Sequence, residues 1–227
     1  MTRLASIERL RDRLSALSFE NSFLRPGGHL RFGLSQIDRL LPGNGMSCGG
    51  LHELTGDYAA ITVFLAALTS RNPRQQPVLW ITPDQQLSAP ALGRQGLDHR
   101  RLTIAWTHRH ADRLWAMDQS LRELGYGAVI GEFDSMDDSD MQRLQNAAAR
   151  SNGVAMVIRR DRQASSIAQS RWHIEAARSD GRLTWLQVSL TRSSNGRSGS
   201  WLLEWNPAEH SFRLLADLAQ PLAAAAE

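Results

Sequence analysis

The chain has 227 residues, and 42% of them are apolar, enough for a real core. All 26 basic residues are arginine, so chemistry that needs a lysine, from Schiff bases to the cation of a phosphate-binding loop, is excluded. A net charge of +3 permits nucleic acid without demanding it, and the single cysteine, Cys48, forbids an intrachain disulfide.

No apolar run approaches the ~20 residues needed to span a bilayer, so no membrane contact is expected. The opening "MTRLASIERLRDRL" lacks the uninterrupted apolar stretch of a secretory signal, which suits the cytoplasm.

Residues 3–19 read as an amphipathic helix, with Leu4, Ile7, Leu14 and Leu17 on one stripe. It either packs on its own domain or forms an arm that docks on a partner. With the "RPGGH" break, an arm and linker is expected over 1–30, a domain over 31–217 and a flexible tail over 218–227. "FGLSQIDRLLPGNG" follows, with Ser35 placed to cap a short helix.

Strands are then predicted at 50–54, 77–82, 101–106, 127–133 and 153–159. Helices are predicted at 57–70, 87–95, 110–124 and 138–151, with Asp57 and Ser139 as N-caps. The nearly continuous apolar runs "GAVIGEF" and "GVAMVIR" suit parallel strands covered on both faces. After residue 170, "RWHIEAAR", "LTWLQVSLTR", "GSWLLEWN" and "SFRLLADL" read as strands joined by turns. The expected fold class is α/β: a parallel sheet with flanking helices and an antiparallel C-terminal β extension.

The stretch "LTGDYAAITVF" occupies the strand-to-helix position of a phosphate-binding loop, G-x-x-x-x-G-K-[ST]. Laid on Gly56, the second glycine is Ile61, the lysine is Thr62 and the magnesium-binding hydroxyl is Val63. Asp57 adds negative charge where a triphosphate would lie. The location is right and the chemistry is absent, so no nucleotide cofactor is expected. Glu132 or Asp134, at the end of an apolar strand, has the placement of a magnesium ligand. Without a phosphate loop opposite, Asp134, Asp137, Asp138 and Asp140 read instead as acids at a helix N-terminus.

Six blocks carry a resemblance: "LPGNGMSCGGLHEL", "VLWITPDQQL", "LWAMDQSLRELGYGAVIGE", "RLQNAAARSNGVAMVIR", "SRWHIEAA" and "GSWLLEWN". Their order and spacing resemble the ImuA family, RecA-like accessory proteins of a bacterial mutagenesis cassette. "LWITPDQQLSAPALGRQGLD" and "AVIGE" are also similar to the shorter cell-division inhibitor family SulA. The ImuA resemblance implies a RecA-like core and a non-catalytic adaptor induced in the SOS response to DNA damage. The implied work is error-prone translesion synthesis beside ImuB, an inactive Y-family polymerase homologue, and an error-prone replicative-type polymerase. RecA, single-stranded DNA and a second copy of the chain are further expected partners. The alternatives are a SulA-like inhibitor of the division GTPase and a divergent RecA-type ATPase.

Arg159, Arg160 and Arg162, after a core strand, and Arg192 and Arg197, around the "SSNG" turn, are the candidate DNA contacts, since guanidinium forks suit phosphate. The competing reading is solvated surface, or pairing with Asp161 and other acids. Trp80, Trp106 and Trp115 are expected in the core, and Trp172, Trp185 and Trp201 on one face of the extension beside Trp205. His108 and His110 lack the partners of a metal site, and His52 reads as structural. Cys48 has no activating environment, and no Ser, His and Asp fall into a triad.

Overall fold

The apolar runs assemble into one twisted sheet in the computed structural model, which describes residues 28–72, 75–123, 125–160, 167–179 and 183–218. The arm residues Leu4, Ile7, Leu14 and Leu17, with Arg162 and the end of the tail, lie outside the described residues.

The described chain opens with β1 (His29–Leu30), α1 (Ser35–Asp38) and β2 (Met46–Ser47). β1 pairs antiparallel with β2, and Leu30 is buried, so the packed body already includes residues 29 and 30. Ser35 is the first residue of α1 and caps nothing; Leu34 is the N-cap. The Asp38 carboxylate instead folds back to accept the Phe32 and Gly33 N–H groups at 2.8 and 3.0 Å.

Five parallel strands follow: β3 (Leu51–Gly56), β4 (Val78–Thr82), β5 (Leu102–Trp106), β6 (Ala128–Phe133) and β7 (Val154–Arg159). Between them run α2 (Tyr58–Ser70), α3 (Ala89–Arg94), α4 (His110–Arg122) and α5 (Asp138–Ala148). β8 (Ser170–Ser179) joins β3 in parallel; β9 (Thr184–Ser193), β10 (Gly199–Asn206) and β11 (Ser211–Asp217) then turn back antiparallel. The order across the sheet is β11-β10-β9-β8-β3-β7-β6-β4-β5. The expected α/β sheet with an antiparallel C-terminal extension is therefore the observed one.

Two cores flank the sheet. Even-numbered residues of the central strands, such as Leu54, Trp80, Ile130 and Met156, face α2 and the opening segment. Odd-numbered ones, such as Leu51, Ile81, Val129 and Val157, face α4 and α5. α5 reaches its core with Met141, Leu144, Ala147 and Ala148, one stripe of an amphipathic helix. Asp137, not Ser139, caps it, accepting the Asp140 N–H at 2.8 Å.

The tryptophans divide differently from the sequence expectation. Trp80 is buried, but Trp106 is 55% and Trp115 60% exposed. Trp106 belongs to the edge strand β5, which has a neighbour on one side only among the described residues. Trp115 shares α4 with the buried Leu114 and Met117 but points off their stripe. In the extension Trp172, Trp201 and Trp205 share the buried face. Trp185 is on the opposite face, where its ring N–H donates to Glu204 Oε2 at 3.0 Å.

Candidate functional site

The place where a nucleotide would sit in such a sheet is the loop after β3. Only Asp57 separates the last residue of β3, Gly56, from the first residue of α2, Tyr58. The Asp57 side chain accepts the Ala60 N–H at 3.1 Å, and its carbonyl accepts the Ile61 N–H at 2.9 Å. One of the first amide donors of the helix, the Ala60 N–H that would greet a phosphate, is thus taken by the Asp57 cap.

β8 closes the loop from the side, where the Asp57 N–H donates to the Ile174 carbonyl at 2.9 Å. Gly56 has φ 122°, and a Cβ there would strike the Ile174 carbonyl oxygen, so the approach requires glycine. Ile61, Thr62 and Val63, aligned by sequence to the end of a phosphate-binding loop, lie inside α2. Ile61 is buried, and Thr62 donates its hydroxyl to the Ala59 carbonyl at 2.8 Å.

Tyr58 makes the link that sequence reasoning missed. From the start of α2 its hydroxyl donates to Glu132 Oε1 on β6 at 2.8 Å. β7 lies between β3 and β6, so this bond arches over a strand. The Trp80 ring N–H donates to the same oxygen at 2.6 Å, and the Thr82 hydroxyl donates to Oε2 at 3.1 Å. Glu132 is almost wholly buried; burial pushes its carboxyl above the usual range, against the pull of these three donors. Burial also pushes the Tyr58 phenol up, so it keeps its proton. A tyrosine opening a helix and a glutamate in an apolar strand are the sequence traces of this clasp.

Asp134, the other acid considered for magnesium, is exposed and lies between Arg160 at 3.5 Å and the buried Arg113 at 3.7 Å. It takes no part in starting α5. His110 Nε2 lies 2.7 Å from Asp140, and its ring meets Phe133 edge-on.

The four candidate DNA contacts among the described residues do not form one surface. Arg159 is buried and pairs with the buried Glu53 at 3.6 Å, so it is not available to a phosphate backbone. The reason is parity: Arg159 continues the Ala155 and Val157 face of β7 while Glu53 continues that of Leu51 on β3. Arg171, next door on β8, approaches the same carboxylate at 3.1 Å. Arg160 is exposed, just past the C-terminal end of β7. Arg192 and Arg197 are also exposed, but register places them elsewhere. Arg192 lies beside Arg171, level with Glu53, and Arg197 is in the turn beyond, donating to the Arg39 carbonyl at 2.6 Å.

His52 is buried, with Nε2–H donating to the Ser47 carbonyl at 3.0 Å and Nδ1 2.7 Å from the Ser170 hydroxyl. Burial lowers its pKa to about 4. Burial likewise pushes the Cys48 thiol up to about 12. Among the described residues, no helix is long and apolar enough to cross a membrane.

Comparisons with known proteins agree with this geometry. A family model described as "Cell division inhibitor SulA" matches residues 56–155. The cell division inhibitor SulA of Serratia proteamaculans (strain 568) is 25% identical over 109 residues, 48% of this chain and 65% of that protein. The crystal structure of the RadB recombinase superposes with a TM-score of 0.60, covering 81% of this chain and 98% of that one; at 14% identity the likeness concerns the fold alone. Protein ImuA of Caulobacter vibrioides (strain NA1000 / CB15N) is 31% identical over 230 residues, 87% of this chain and 93% of that protein. With a RecA-like sheet and this degree of identity over most of both chains, the chain belongs to the ImuA family.

Proposed function

We propose that the protein is a non-catalytic adaptor in SOS-induced, error-prone translesion DNA synthesis, joining an ImuB-like inactive Y-family polymerase homologue to the mutagenic polymerase. The observation that carries this reading is the Tyr58–Glu132 clasp over the nucleotide position, in a chain that matches Protein ImuA along most of its length. A RecA-type ATPase needs open amide donors, a cation and a metal-binding hydroxyl there. Here the Ala60 N–H is taken by the Asp57 cap, and the side chains equivalent by sequence lie within a helix. The test has two arms. Magnesium–ATP is expected to leave the melting temperature unchanged and to release no phosphate, with or without single-stranded DNA. Pull-down from DNA-damaged cells is expected to recover the polymerase homologue. Nucleotide-dependent stabilisation sinks the non-catalytic half of the reading, and absence of polymerase-type partners sinks the adaptor half.

A second reading is favoured by the SulA match over residues 56–155, which runs from the end of β3 to the start of β7. On that reading the core binds the division GTPase, and the purified protein would block GTPase polymerisation near one-to-one stoichiometry. DNA contact, as a component of the adaptor reading, rests on the exposed Arg160, Arg192 and Arg197. Their joint replacement by alanine is expected to reduce single-stranded DNA binding and flatten its dependence on salt.

A further inference from the structure

Both outer strands of the sheet, β5 and β11, are unpaired on one side among the described residues. Proteins usually blunt such edges with lysine, proline, an inward charge or a covering segment. β5, "LTIAW", carries none of these residues and ends in the exposed Trp106. The Thr107 N–H points back to the Thr82 carbonyl at 3.1 Å. Since successive backbone groups alternate sides, the N–H and C=O groups of Ile104 and Trp106 point away from β4. At the other edge the Leu218 N–H reaches the Ser200 carbonyl at 2.7 Å, so the Asp217 N–H points outward.

The charges at the ends of these strands have opposite sign. β5 is bracketed by the exposed Arg100 and Arg109, and β11 by the exposed Glu209 and Asp217. The brackets span nearly the same length, 100 to 109 and 209 to 217. Asp98 and Asp112 lie near the arginines but are engaged, Asp98 capping the turn at Arg100 and Asp112 lying 3.8 Å from Arg109. If two β5 edges met antiparallel, Arg100 would face Arg109; if two β11 edges met, Glu209 would face Asp217. Either homotypic pairing sets like charges opposite. A β5 edge against a β11 edge sets Arg against acid at both ends, whichever way the strands run.

We propose that the β5 edge of one molecule pairs with the β11 edge of a second copy, extending the sheet head to tail. Such a heterologous contact does not close on itself in a pair, so it builds runs of molecules that stay open unless the rotation between neighbours closes a ring. The proposal goes beyond the adaptor reading and does not depend on it.

Sedimentation velocity on the full chain at low salt is expected to show concentration-dependent assembly that salt weakens. Trp106→Pro removes an outward N–H from β5, and Asp217→Pro removes one from β11; proline is tolerated at such edge positions. Each variant alone is expected to be monomeric, while an equimolar mixture forms a dimer and stops there. R100E with R109E is expected to weaken assembly about tenfold, and adding E209R with D217R to restore it. The charge variants keep the proposal testable if a proline variant does not fold. A wild type that stays monomeric to about 100 μM, well into the weak range of affinity, overturns it. So does a dimer that either proline variant forms alone, or a charge swap that fails to restore assembly.

Discussion

Removing the Tyr58 hydroxyl leaves Glu132 short of one donor in a site where burial already opposes its charge. Hydrogen bonds to charged groups contribute about 1.5–3 kcal/mol, and Tyr58 is only half-buried. Tyr58→Phe is therefore expected to cost about 1–2 kcal/mol in urea unfolding, near the low end of that range. Unchanged stability would mean that the clasp is incidental. His52 gives a pH signature. Its folded pKa of about 4 lies below the ordinary 6.5, so the unfolded chain binds the extra proton first as pH falls. Its contribution is present in full above about pH 6.5 and is lost on descending toward pH 4, on the order of 3 kcal/mol in all. Comparing unfolding against pH for the wild type and His52→Gln isolates this term, because the drop over that window should shrink in the variant.

Among strands and helices, the single residue between β3 and α2 has the largest consequence. Asp57→Ala removes the N-cap of α2 and is expected to cost about 1 kcal/mol. Gly56→Ala adds a Cβ against the Ile174 carbonyl at a positive φ and is expected to cost about 2 kcal/mol or more, read by the same unfolding assay. Rebuilding the motif by Ile61→Gly, Thr62→Lys and Val63→Ser places new residues inside a helix and is expected to yield a less stable protein that still ignores ATP in calorimetry. The helices and parallel strands were legible in the sequence because strands covered on both faces read as continuous apolar runs, as "AVIGEF" and "VAMVIR" do. The caps at Ser35 and Ser139 were misplaced because an aspartate serves each turn better: Asp38 reaches back to two amides, and Asp137 stands two residues before Ser139. β1 and β2, two residues each, have no period to read. The departure of its letters from the motif was legible, but the one-residue link between β3 and α2 was not, because alignment to a motif presumes equal spacing. Trp106 was misjudged because whether a strand lies at the edge or in the middle depends on pairing, which a linear pattern does not contain, and Arg159 because the acid it meets, Glu53, stands on a neighbouring strand far away in sequence.

Across the whole molecule, the extension makes one continuous structure with the core. β8 pairs with β3 in parallel, and its face carries Trp172 and Ile174 into the same core as Phe64 of α2. Trp201→Ala, in the middle of that shared core, is expected to cost about 3–5 kcal/mol and to lower a single cooperative transition without splitting it in two. Motors of this architecture change shape because a small molecule enters, is cut and leaves, biasing one arrangement and then another. Here the keystone is a phenol tethered to the backbone, and it cannot be consumed or washed away. On the adaptor reading, a scaffold held by its own side chain has no timer at that spot, so how long the proposed assemblies last is set by how much of the protein the cell makes and how fast it is removed.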